Sequence, residues 1–180
     1  LMLSRGNWTI LGLAALAAAV GGYAQHHLQT APAAAVTTAA STIIGQPLPA
    51  LSLPDLDGRL HDLGEYRGRR VLINLCASWC LPCLQEMPAL VKVQRKFGDR
   101  GAIVIGIALD QPAHVQAFLA AHPVNYPILI GPPESPDASV KLGNTRNNLP
   151  HSVLVADDGR ILATHEGAMT PDQMEQWLAR

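Results

Sequence analysis

Charge is scarce in this sequence, and so is cysteine. Of 180 residues, 13 are Lys or Arg and 14 are Asp or Glu, for a formal net charge of −1. No basic excess exists to bind nucleic acid through phosphate contacts, so that class of partner is excluded. The shortage of charge is local. Residues 1–54 carry a single charged side chain, Arg5, and no Asp or Glu. The remainder has the charge pattern of an ordinary, slightly acidic globular domain. Cysteine occurs only as Cys76, Cys80 and Cys83. No second Cys-x-x-Cys and no suitably spaced His pair accompanies them, which argues against a zinc site. Covalent haem attachment needs His after the second Cys, and Leu84 stands there. Neither a metal nor a cofactor is implied.

What the charge-poor region has instead is one apolar run, Trp8 to Ala24 (WTILGLAALAAAVGGYA), preceded by Arg5. It is short for a membrane span and long for the apolar region of a signal peptide. Gly22-Tyr23-Ala24 puts small residues at the −3 and −1 positions of a cleavage after Ala24. A signal peptide over 1–24 and an uncleaved anchor in the inner membrane both fit. The anchor is ahead, because Gly22 is a mediocre −3 residue and flanking residues can snorkel. A buried core helix would show a polar stripe, and none is visible. Arg5 precedes the run and no Lys or Arg follows until Arg59, so everything after Ala24 is expected to be exported. The globular part is then periplasmic, tethered or released. Residues 25–42 are rich in Ala and Thr without apolar periodicity and read as a flexible linker. His26 and His27 lie in it with no thiol or carboxylate nearby and read as solvated.

From Ile43 to Arg180 the chain alternates strand and helix patterns, as one domain. Leu51–Leu53 and Leu60 flank Asp57-Gly58, a turn that suggests a hairpin. Val71–Leu75 is a compact apolar strand, and Leu84–Phe97 has helical spacing. Ile103–Leu109 is continuously apolar, as a strand buried on both faces should be. Pro112 opens a helix to about Ala121, Tyr126–Ile130 is a further strand, and Asp137–Leu142 a helical turn. Ser152–Ala156 and Arg160–His165 are strands joined by Asp157-Asp158-Gly159. Thr170 and Pro171 start a last helix as N-cap and N1. This order predicts an α/β fold: a mixed central sheet with helices on both faces and an N-terminal hairpin extension.

Cys80 and Cys83 fall between the Val71–Leu75 strand and the helix after it, with Pro82 tolerated in a first turn. A cysteine at a helix N-terminus faces unpaired N–H groups and the positive end of the macrodipole, which stabilise its thiolate. The thiolate is the attacking species in disulfide exchange. A partner three residues on shares its helix face and can resolve the mixed disulfide. Cys80 is therefore the candidate nucleophile and Cys83 the resolving thiol. A purely structural disulfide would close so short a loop that it constrains the unfolded chain very little.

The run Val71 to Pro88, VLINLCASWCLPCLQEMP, resembles the active-site segment of the TlpA/ResA-type, membrane-tethered thioredoxin-like oxidoreductases. Leu53–Leu63 is similar to that family's hairpin, and Leu149-Pro150 with SVLVADDG to its cis-proline loop and following hairpin. The resemblance spans about Ile43 to Arg180 and implies a thioredoxin-like fold and a redox-active Cys80–Cys83 disulfide. It further implies that Pro150 is a cis-proline packed on the dithiol, that the Leu149 backbone pairs with substrate, and that Trp79 shields the site. Pro88 would kink the active-site helix. Thioredoxin itself has a buried Asp where Asn74 stands, whereas this family carries a Glu three residues after the second Cys, here Glu86. On a helix, Glu86 shares the Cys83 face, so a buried carboxylate could shuttle the proton that Cys83 must lose. The rival reading is an exposed helix glutamate.

Two positions depart from simple expectation. Cys76 stands where the family usually has Trp, leaving volume to fill; it reads as a small buried residue, with a third reactive thiol as the rival. His151 reads as a solvated loop histidine, with a groove-lining imidazolium that tunes the thiolate as the rival. The leading function is a periplasmic disulfide reductase acting on protein disulfides or dithiols. It would be kept reduced by a membrane donor of the DsbD type, and the family suggests apocytochrome c among its substrates. A disulfide-forming oxidase and a non-catalytic binding or chaperone module are the alternatives. The uncharged Leu81-Pro82 between the cysteines favours the reductase.

Overall fold

The computed structural model describes residues 43–132 and 137–179, so the readings for 1–24, for the linker and for His26-His27 lie outside the described residues. Two short strands, β1 (Ser52–Pro54) and β2 (Leu60–Asp62), form the expected hairpin, with Gly58 at φ 81° in its turn. Then follow β3 (Arg70–Cys76), α1 (Leu81–Phe97), β4 (Ala102–Leu109), α2 (Pro112–Ala121) and β5 (Ile128–Gly131). The chain ends with α3 (Asp137–Lys141), β6 (His151–Val155), β7 (Ile161–Glu166) and α4 (Pro171–Leu178). No helix among the described residues is long and apolar enough to cross a membrane.

The central sheet has the order β5-β4-β3-β6-β7, with β3, β4 and β5 parallel and β6 and β7 antiparallel to their neighbours. It is the mixed sheet of a thioredoxin-like fold. Every residue of β4 is buried, as its unbroken apolar run requires of a strand flanked on both edges and faces. Strand alternation divides the core in two. Val71, Ile73 and Leu75 of β3 join Ile103, Ile105 and Ile107 of β4 in one layer. Leu72 and Val104 point the other way, onto Leu90, Val93 and Phe97 of α1 and Met174 and Leu178 of α4. α2 sets Val115 against Ala108 and Ile130, on the α1 side of the strands.

Helices cover both faces, but unequally. The layer of Val71, Ile73, Leu75, Ile103, Ile105 and Ile107 is closed by the hairpin's Leu51 and Leu53 and by Ala138 and Leu142 at the single-turn α3. β5 starts at Ile128 rather than Tyr126, because Pro127 has no N–H to give to a ladder. At α4 the Thr170 hydroxyl accepts from Gln173 N while the Gln173 side chain accepts from Thr170 N, a reciprocal cap that fixes the helix start.

Candidate active site

The carboxyl ends of the parallel strands β3 and β4 open onto one edge of the sheet, and the reactive groups gather there. β3 ends at Cys76, and Ala77 to Cys80 turn tightly into α1, with Cys80 N donating to the Ala77 carbonyl at 3.1 Å. Cys80 is the N-cap of α1, and Leu81 and Pro82 are its first two residues. The Cys80 sulfur accepts the backbone N–H of Cys83 at 3.3 Å and is joined to the Cys83 sulfur in a disulfide. That N–H would otherwise be one of the helix's orphan donors, so a thiolate at Cys80 meets a ready hydrogen-bond donor. Cys80 is 5% exposed and Cys83 is 0% exposed, so Cys80 is the more accessible sulfur of the two.

Around the dithiol stand the side chains singled out from sequence. Trp79 is 73% exposed beside Cys80, which excludes a core role for the ring, and Leu81 is exposed on the other side. Leu149 packs on Ala77, Cys80 and Cys83, and the Leu149–Pro150 bond is cis. The Pro150 carbonyl is held by Gly167 N at 2.8 Å.

Glu86 lies one turn along α1 from Cys83 and is 3% exposed, which removes the exposed-glutamate reading. One carboxylate oxygen accepts from Asn74 Nδ2 at 2.6 Å, and the other from Met169 N at 2.9 Å. Burial pushes its pKa above the ordinary carboxylate value, against the opposing effect of these two donors. Asn74 also donates to the Ser152 hydroxyl at 3.2 Å. Asn74 therefore orients Glu86 in place of titrating itself, a role that its sequence position only hinted at.

Cys76 is a partly buried free thiol that packs against the dithiol cluster. Burial, and then the nearby Glu86 carboxylate, push its pKa up to about 12. A third reactive thiol is not what this environment makes. Beside Cys76 lies a cavity of about 30 Å³, lined by Cys76, Met87, Gly106, Phe118, Leu119 and Tyr126. That is room for one water.

His151 corrects the sequence reading outright. It is no loop residue: it begins β6, pairs with Leu75 and is buried. Its Nε2–H donates to the Leu142 carbonyl at 3.1 Å, and Nδ1 has no partner. Burial lowers its pKa, so it stays neutral and is no imidazolium at a groove. The strand pattern extends one residue further back than SVLVA suggested, directly to the cis-proline.

One residue was missed. Asp110 follows β4, is 5% exposed, and its carboxylate accepts from Ser78 N at 3.1 Å and from the Ser78 hydroxyl. The parallel register that pairs Cys76 with Ala108 carries Ser78 and Asp110 to the same level. An acid directly after an eight-residue apolar strand, before Gln-Pro, was the available clue. Among the described residues, no group of His, Cys, Asp and Glu is arranged to hold a metal ion.

The profile of the Redoxin family matches residues 43–178. The thioredoxin-like protein YneN of Bacillus subtilis is 34% identical over 137 residues, covering 74% of this chain and 78% of that protein. The thiol-disulfide oxidoreductase ResA of Bacillus thuringiensis subsp. konkukian is 27% identical over 140 residues, covering 76% of this chain and 78% of its own. Among solved structures, one from Chlorobium tepidum, provisionally described as the thiol:disulfide interchange protein DsbE, superposes with a TM-score of 0.67. It is 27% identical and covers 75% of this chain and 94% of its own.

Proposed function

Because the chain belongs to the Redoxin family, as a thiol–disulfide oxidoreductase, we propose that it is a disulfide reductase working outside the cytoplasm on protein substrates. The observation that carries this reading is the Cys80 sulfur on the Cys83 N–H at the start of α1, with buried Glu86 one turn on. In the reduced protein, the Cys80 thiolate attacks one sulfur of a substrate disulfide. A mixed disulfide forms and the other substrate sulfur leaves as a thiolate. Glu86 takes the proton of Cys83, whose thiolate then attacks the Cys80 sulfur. The Cys80–Cys83 bond closes, and the substrate leaves as a dithiol that has gained two electrons. Trp79 and Leu81 offer an apolar rim, and the Leu149 backbone beside Pro150 an extended edge for the substrate chain.

The direction is supported by Leu81-Pro82, which puts no charge between the cysteines. Turnover as a reductase in an oxidising compartment requires an outside dithiol to reduce Cys80–Cys83 again, and a membrane donor of the DsbD type fits. Residues 8–24 would tether the domain to the inner membrane, or be removed near Ala24. A reduced Cys-x-x-Cys in an apocytochrome c is the product class that the resemblance favours. Insulin-disulfide reduction tests the activity: turnover by the wild type and none by Cys80→Ser supports it. Equal turnover by both variants overturns the assignment of Cys80.

A further inference from the structure

We propose that Asp110 is a positioning residue for Cys80, acting through Ser78 to hold the turn that presents the nucleophile. The inference rests on Cys80 being the attacking sulfur. The turn is short, and its ends are fixed differently. Ala77 is buried and its carbonyl takes the Cys80 N–H, while Trp79 projects into solvent and gives no anchorage. Between them, Ser78 is tied to Asp110 twice, by its backbone N–H and by its hydroxyl, both on Oδ2. Asp110 is itself immobilised. Its Oδ1 accepts from Gln111 N at 2.7 Å and pairs with His114 Nδ1 at 3.1 Å, which anchors it to the start of α2.

The carboxylate therefore bridges the α2 entrance and the turn before Cys80, at the level where β3 and β4 end. Burial alone would raise the Asp110 pKa, but the Ser78, Gln111 and His114 donors together hold it below the ordinary carboxylate range. It remains an anion with every near partner donating to it. An amide cannot replace it, because its one oxygen serves either the Ser78 pair or the α2 pair, not both.

The contact matters unequally in the two redox states. In the oxidised protein the disulfide itself restrains Cys80. In the reduced protein that covalent tie is gone, and the Ser78–Asp110 link is what keeps the Cys80 sulfur on the Cys83 N–H. Loosening it weighs on the reduced form and on the rate of attack.

Ser78→Ala is the cleaner probe, since it leaves the Asp110 charge in place. The readouts are the rate of mixed-disulfide formation on the high-pH plateau, where Cys80 is fully ionised, and the exchange equilibrium with a reference dithiol. Ser78→Ala is expected to slow plateau attack roughly tenfold and shift the equilibrium about three- to tenfold toward oxidised protein. Ser78→Thr, which keeps the hydroxyl, is expected to stay within about twofold of the wild type on the same grounds. Asp110→Asn is expected to slow the plateau rate as much as Ser78→Ala, and the double variant no further. A lower melting temperature with unchanged plateau rate and unchanged equilibrium in Ser78→Ala overturns the proposal. If Asp110→Asn fails to fold, the Ser78 pair of variants decides it alone. Mixed-disulfide formation that persists in Cys80→Ala would instead defeat the nucleophile assignment beneath it.

Discussion

Asn74 Nδ2 and a carboxylate oxygen of Glu86 lie 2.6 Å apart, both buried, across the interface of β3 and α1. This pair puts a titratable group where the strand itself has none. The amide can only donate to the carboxylate here, and Met169 N donates to its other oxygen. Glu86 sits one turn along α1 from Cys83, and both are buried.

Glu86→Gln removes the proposed proton acceptor and keeps the shape. The mixed disulfide with substrate should form at near wild-type rate and then persist, with resolution slowed roughly 100-fold. Quenched-flow trapping of the intermediate measures both steps. Equal lifetimes in the two proteins would take Glu86 out of the mechanism.

The same carboxylate makes stability depend on pH. Its folded pKa is raised by burial, so the folded state holds this proton more tightly than the unfolded chain does. Its contribution is fully present below the ordinary carboxylate pKa and is lost as pH rises through the folded value. Wild-type stability should decline relative to Glu86→Gln by roughly 1 kcal/mol from pH 4 upward. Urea midpoints of both proteins across that range check the sign.

His151 works in the opposite direction. Burial depresses its pKa, so its contribution is present above the ordinary histidine value of about 6.5 and is lost as pH falls through the folded value. Acidification from pH 7 to 5 should cost the wild type about 1 kcal/mol more than His151→Gln. Thermal melts at the two pH values supply the comparison. A parallel decline in both proteins contradicts it.

Cys76 should be chemically quiet. With its thiol pushed up to about 12, iodoacetamide at pH 8 should alkylate Cys80 of the reduced protein first and leave Cys76 unlabelled. Peptide mass mapping reads the sites directly. Restoring an indole by Cys76→Trp should destabilise the fold by about 1–3 kcal/mol, because only about 30 Å³ is open beside it.

Much of the fold was legible because apolar periodicity and turn residues agree along the chain. The β4 run, the Gly58 turn and the Thr170–Pro171 helix start all stand where their chemistry places them. The dithiol was readable because three-residue spacing at a helix start is local information, and Glu86 was singled out by the family resemblance. His151 was misread because its place in the sheet comes from pairing with Leu75 of β3, which is distant in sequence. Asp110 was missed for the same reason. Its meaning lies in the parallel register of β3 and β4, which sets it level with Ser78 and which no local pattern encodes.

The reduction potential of the Cys80–Cys83 couple tests the central claim most directly. A reductase should give a value near that of thioredoxin, about −270 mV. A value near the roughly −120 mV of DsbA would contradict the account and make the protein a disulfide-forming oxidase.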